Sequence, residues 1–197
     1  MRKTLFISFC IAILGLLGIG VVAFASQEDT TESIHHTWSL EATIIDDIYI
    51  GGLNQPVHLI IEQGDQTETS VLVSGKVPKR SLESLADPDY TTVSPNELLL
   101  SFERWNSGIG TSHININEDK REAVTIHVIL DHKSLLKQLR LDNSGGDITV
   151  TVSKELALTY KLDAHGYGTV SKTTSVRDAP SLLEVHNYGG DITVKTR

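Results

Sequence analysis

The sequence predicts an all-β fold: a single β-solenoid, or β-helix, domain with coils of about 22 residues, behind one N-terminal transmembrane or signal helix. Three observations predict it. Apolar and polar residues alternate over most of the chain after Trp38. The phrase SGGDITV at 144–150 returns as YGGDITV at 188–194, 44 residues later. Residues 5–25 form one uncharged apolar run of 21 residues.

That run comes first. At about 1.5 Å per residue a helix of this length matches the roughly 30 Å of bilayer hydrocarbon. Arg2 and Lys3 precede it and Glu28, Asp29 and Glu32 follow, so the basic end stays in the cytoplasm and the rest is exported. The expected address is the cell membrane, single-pass, with the C-terminal domain extracytoplasmic. Ala23-Phe24-Ala25 before Ser26 also has the small-x-small form that signal peptidase reads, and secretion after cleavage following Ala25 is the alternative. The length of the run, beyond the usual 7–15-residue signal core, favours the anchor. Cys10 is the single cysteine, so stability must come from packing without disulfides. Without residues 1–25, which hold two cations and no acids, the chain carries −10 against −8 for the whole. Nucleic acid is therefore not an expected partner, since it needs a basic face.

Residues 26–37 (SQEDTTESIHHT) read as a polar linker, and the β domain is expected over 38–197. Its strand candidates place apolar residues two apart: Ile48 and Ile50; Val57, Leu59 and Ile61; Val71 and Val73; Leu98 and Leu100; Val124, Ile126 and Val128. The one helical stretch, SLESLA at 81–86, stops at Asp87-Pro88 and reads as about one turn in a connection.

The repeat organises the rest. Gly146 and Gly190 are 44 apart, and Gly168 lies halfway between them. The 22-residue step aligns Asn143, His165 and Asn187 before the turn, Asp147, Thr169 and Asp191 after it, and Ile148, Val170 and Ile192 in the next strand. Coils stacked in chain order would set aligned residues one above another at about 4.8 Å. Glycine reaches positive φ at a corner without steric cost, and aspartate bonds nearby amides. The corner motif comprises Gly145, Gly146, Asp147 and Ile148; Gly168 and Thr169; and Gly189, Gly190, Asp191 and Ile192.

At these residues, and at the strand AVTIHVIL (123–130) leading into LLKQLRLDNSGGDITV, the chain resembles the putative adhesin family of bacterial envelope proteins. The resemblance covers about residues 40–197. It implies a β-solenoid with recurring Gly-Asp-Ile corners. Membrane-anchored Gram-positive members of this kind accompany envelope-stress systems. The chain departs from the pattern at the middle corner, which reads Gly168-Thr169.

No catalytic site is expected. Asp46 and Asp47 are consecutive and would diverge on a strand. Ser144-Gly145-Gly146 lacks the frame of a nucleophile elbow. No metal or cofactor is expected either: in chain-order stacking Asp147 and Asp191 would stand two coils apart, roughly 9–10 Å, too far to share a calcium ion. His35-His36 reads as solvated, and Asn143, His165 and Asn187 as a hydrogen-bonded ladder. The candidate binding surface is Trp105, in the polar loop 104–121, with Tyr167 and Tyr188 beside neighbouring corners. The final strand, with Lys195 and Arg197, is expected to be an open coil edge capable of self-association. The functional expectation is a non-enzymatic, membrane-anchored envelope interaction protein, with modulation of envelope-stress signalling implied by the resemblance. Its partner would be an envelope or membrane protein, or a cell-surface glycan. An adhesion or glycan-binding module is the alternative, and a carbohydrate-active enzyme the remote one.

Overall fold

The computed structural model describes residues 30–103, 121–172 and 179–197. The chain divides into two units at Thr30, and every element below belongs to the second, Thr31–Arg197. In chain order, β1 (Thr31–Leu40), β2 (Ile44–Ile45), β3 (Asp47–Leu53), β4 (Val57–Gly64) and β5 (Thr69–Pro78) precede the helix α1 (Lys79–Leu85). β6 (Thr91–Val93), β7 (Glu97–Ser101), β8 (Val124–Asp131), β9 (Leu135–Leu136) and β10 (Gln138–Asn143) follow. The chain continues through β11 (Ile148–Val152), β12 (Leu158–Ala164), β13 (Val170–Lys172), β14 (Ser181–Asn187) and β15 (Ile192–Thr196). The fold is all-β with one short helix. Among the described residues no helix is long and apolar enough to cross a membrane; the run at 5–25 lies outside them.

Two sheets hold nearly all the strands. One has the order β1-β5-β8-β4-β11-β15-β13 and the other β12-β14-β10-β3-β7-β6; β2 and β9 pair separately. From β8 to β13 in the first sheet, and from β12 to β7 in the second, neighbours run parallel. The alternation explains the packing. Ile48, Ile50, Leu59, Ile61, Ile126, Leu139, Leu141, Ile148, Val150, Val185, Ile192 and Val194 all point into one core shared by the two sheets. Each such side chain contributes roughly 1.5–3 kcal/mol on burial.

Each stretch β3–β4, β10–β11, β14–β15 and β12–β13 places one strand in the six-stranded sheet and the next in the seven-stranded sheet, a two-strand rung. The order of these rungs corrects the expected solenoid. Coils stacked in chain order would run β10–β11, β12–β13, β14–β15. Both sheets instead place β14–β15 between the other two. The two close copies of the repeat therefore touch, Ile148 opposite Ile192 and Val150 opposite Val194. The degenerate copy lies outside them, Val170 opposite Ile192. The sheets are also mixed, since β1, β5 and β6 join antiparallel.

Two further differences follow from edges. β15 pairs with β11 on one side and β13 on the other, so the final strand is not the open edge expected for self-association. The stretch read as linker is strand from Thr31, pairing along its length with β5. An edge strand needs only one buried face, and Ile34, Trp38 and Leu40 supply it while Glu32, His35 and His36 stay exposed. The His36 ring packs edge-on against Trp38, centroids 4.4 Å apart.

Candidate functional site

The corners are built by close approach. A Cβ on Gly190 would lie 2.5 Å from the Gly146 carbonyl oxygen, and one on Gly168 would lie 2.2 Å from that of Gly190. Of the corner-motif glycines only Gly146 has positive φ, +78°, and a Cβ there would meet Pro56 N at 2.5 Å. Glycine is required mainly because stacked backbones touch, rather than because every corner turns left-handed. Aspartate links corner to corner: Asp191 N donates to Asp147 Oδ1 at 2.9 Å, and Thr169 N and Oγ1 donate to Asp191 Oδ1 at 2.7 and 2.9 Å. The two acids thus stand on neighbouring rungs, not two apart, and each caps the next corner. Those donors, backbone amide first, hold Asp191 below the usual carboxylate range.

Asn143 and Asn187 form the ladder that their alignment predicts, with Asn143 Nδ2 donating to Asn187 Oδ1 at 3.2 Å and Asn187 Nδ2 to the Gly146 carbonyl at 2.9 Å. His165 is not its third member. Ala164 stands opposite Asn187, and five residues separate Ala164 from Val170 where four separate Asn187 from Ile192. The longer corner slips the register by one, which turns a side chain to the opposite face. His165 accordingly stacks on the Tyr188 ring, centroids 4.5 Å apart and planes at 9°.

The outer face of the six-stranded sheet carries a row of polar groups in strand register. Lys161, Glu184, Arg140 and Tyr49 lie opposite one another on β12, β14, β10 and β3. Glu184 pairs with Lys161 and accepts from Gln138 Nε2 at 3.1 Å. Arg140 reaches Asp47 Oδ2 at 2.6 Å and lies 5.2 Å from the Tyr49 ring centre. Tyr49 donates to Asp142 Oδ2 at 2.9 Å; burial, then that bond, pushes its hydroxyl up to about 12. Asp46 pairs separately with Lys137 at 2.5 Å, so the consecutive Asp46 and Asp47 diverge as expected.

A second row contains Asp163, His186 and Asp142. His186 Nε2 lies 3.0 Å from Glu184 Oε1, and its Nδ1 lies 4.0 Å from Asp163 Oδ2. His165 Nε2 stands 3.4 Å from the same carboxylate oxygen. Of the expected binding residues, Tyr167 is fully exposed and Tyr188 is 59% exposed, at the corners of neighbouring rungs. Trp105 lies outside the described residues. The sequence reading missed Asp163, Glu184 and His186. Their signal was present, as D-x-H at 163–165 and E-x-H at 184–186 on strands of matching alternation.

No protein-family profile matches the chain, and no curated protein matches it significantly. Among solved structures it is similar to a putative cell adhesion protein from Clostridium sporogenes ATCC 15579, at 10% identity and a TM-score of 0.28, covering 84% of this chain and all of that one. It is also similar to a putative adhesin from Bacteroides fragilis NCTC 9343, at 10% identity and a TM-score of 0.33, covering 85% of this chain and 99% of that one. Those names describe those proteins.

Proposed function

We propose that this chain is a non-enzymatic interaction protein of the cell surface, held at the membrane by residues 5–25, which binds surface glycan through the corner face bearing Tyr167 and Tyr188. The observation that carries this reading is the Tyr188 ring, exposed yet held flat against His165, next to the exposed Tyr167 of the adjoining rung. A ring ordered before binding loses little entropy on capturing a sugar face. Around it, Asp163, His186 and Asp142 offer hydrogen-bonding groups of the kind hydroxyls need. The uncharged run with its preceding Arg2 and Lys3 supports display outside the membrane.

The test is binding of the full-length protein, in detergent micelles, to purified cell-wall glycan. The double variant Tyr167→Ala/Tyr188→Ala should bind at least about tenfold more weakly, given about 1 kcal/mol or more for each aromatic contact, with its near-UV circular dichroism otherwise folded. Unchanged binding by that variant would sink the reading. The signalling role needs a membrane protein in place of a glycan, so crosslinking in intact cells that recovers such a protein and no glycan would favour it instead.

A further inference from the structure

We infer that Asp163, His165 and His186 form a binding site for a divalent transition-metal ion of the zinc class, with a coordination position open to solvent. Three groups of the right kind converge there. The side-chain ligand atoms of all three lie within 4.8 Å of one another. Strand register brings them together. Asp163 stands opposite His186 across the β12–β14 pairing, and His165 lies two residues beyond Asp163, on the same side. Ligands about 2.0–2.2 Å from a shared tetrahedral zinc ion stand roughly 3.3–3.6 Å apart. The His165 Nε2 separation of 3.4 Å from Asp163 Oδ2 already fits, and His186 Nδ1, at 4.0 Å, closes the site with a small side-chain shift.

The surroundings orient the ligands as a metal would need. Glu184 Oε1 lies 3.0 Å from His186 Nε2. Glu184 is held ionised by Lys161 first and His186 second. It can therefore accept a hydrogen bond from Nε2–H, which leaves Nδ1 as the ring nitrogen on the Asp163 side. That arrangement of carboxylate, imidazole and free ring nitrogen is the usual outer support of a metal-bound histidine. His165 is oriented separately, by its stack on Tyr188. Two imidazoles and one carboxylate suit zinc and its neighbours over calcium or magnesium, which prefer all-oxygen sets. The side chains of Asp163 and His165 are 53% and 42% exposed, so water or an oxygen-bearing ligand can complete the shell.

The site shares Asp163 and His186 with the surroundings of the tyrosine surface, but zinc binding needs neither Tyr167 nor Tyr188 and is read without glycan, so the two proposals fail separately. The experiment is calorimetric titration of the full-length protein in detergent micelles with zinc chloride, repeated with cobalt chloride for its visible absorption. One equivalent of zinc should bind at micromolar or tighter affinity, with cobalt bands of a four- or five-coordinate nitrogen–oxygen site. His165→Asn/His186→Asn should abolish both signals. Glu184→Gln, which leaves all three ligands in place, should weaken zinc binding roughly 10–100-fold. His35→Ala/His36→Ala should bind like the parent. Absence of stoichiometric zinc binding by the parent, or binding that persists unchanged in the folded His165→Asn/His186→Asn variant, would overturn the inference. Loss of binding in the His35→Ala/His36→Ala variant alone would overturn it as well.

Discussion

The corners at 145–147 and 189–191 share their residues and stack on each other; the corner at 165–169 stacks on the second of them through Gly168 but differs in length and in most of its residues. The first two stack with glycine against glycine, so closely that a methyl group on Gly190 would overlap the Gly146 carbonyl. The third, one residue longer, sits on the outside of the pair, with open space around Gly166. It carries Tyr167 and His165, and Asp163 just before it. The glycine common to all three corners, at 146, 168 and 190, therefore marks where backbones meet. Departure from the repeat marks where side chains are free to meet something else.

The contrast can be broken most strongly at the glycines. Gly146→Ala combines positive φ with an overlap against Pro56 backbone and should cost about 3 kcal/mol or more by urea denaturation. Gly166→Ala has the same strained φ, +71°, but meets nothing within 4 Å, so it should cost only about 1–2 kcal/mol. Equal losses would mean that backbone conformation, not corner contact, selects glycine.

The asparagine ladder gives a smaller effect of the same kind. Asn187→Ala removes the buried amide that donates to the Gly146 carbonyl and should cost about 1–3 kcal/mol. His165→Ala should cost no more than about 1 kcal/mol, the worth of its ring stack. A larger loss for His165 would place it in the asparagine ladder after all.

The smallest effect is electrostatic. Asp191 has a folded-state pKa below its ordinary 3.8, from the Thr169 amide and then the Thr169 hydroxyl. A depressed carboxylate stabilises the fold fully above the unfolded value, and that contribution is lost as pH falls through the lower folded one. Asp191→Asn should therefore flatten the fall of melting temperature below about pH 4, and Thr169→Val should flatten it partly. An acid limb unchanged in both variants would count against the corner-to-corner cap.

Much of the fold was legible. Alternation at Ile48–Ile50, Val57–Ile61 and Val124–Val128 marks strands because each needs one buried face, and those residues line the core. The Gly-Gly-Asp phrases are corners for a reason visible in their residues. The rung order was not legible, because a period says which residues align and not which copies are neighbours. β1 was missed because an edge strand needs few large apolar groups, and Thr31–Thr37 holds only Ile34. The cluster of Asp163, His165 and His186 was hidden by the extra residue of the third corner, which removes His165 from the alignment it shares on paper with Asn143 and Asn187. Spacing in the chain could not disclose a site assembled across two strands.

The most direct test of the rung order is disulfide formation in a Cys10→Ser background. Thr149 stands opposite Thr193, and Thr193 opposite Ser171, on the polar face of three consecutive parallel strands. Neighbouring strands lie about 4.8 Å apart, within the 4.4–6.8 Å Cα range of a disulfide, and strands two apart lie near 9–10 Å. Thr149→Cys/Thr193→Cys should oxidise readily under mild copper–phenanthroline, and Thr149→Cys/Ser171→Cys should stay reduced. Ready oxidation of the second pair and not the first would mean that the copies stack in chain order, contradicting the neighbour relation on which the corner account rests.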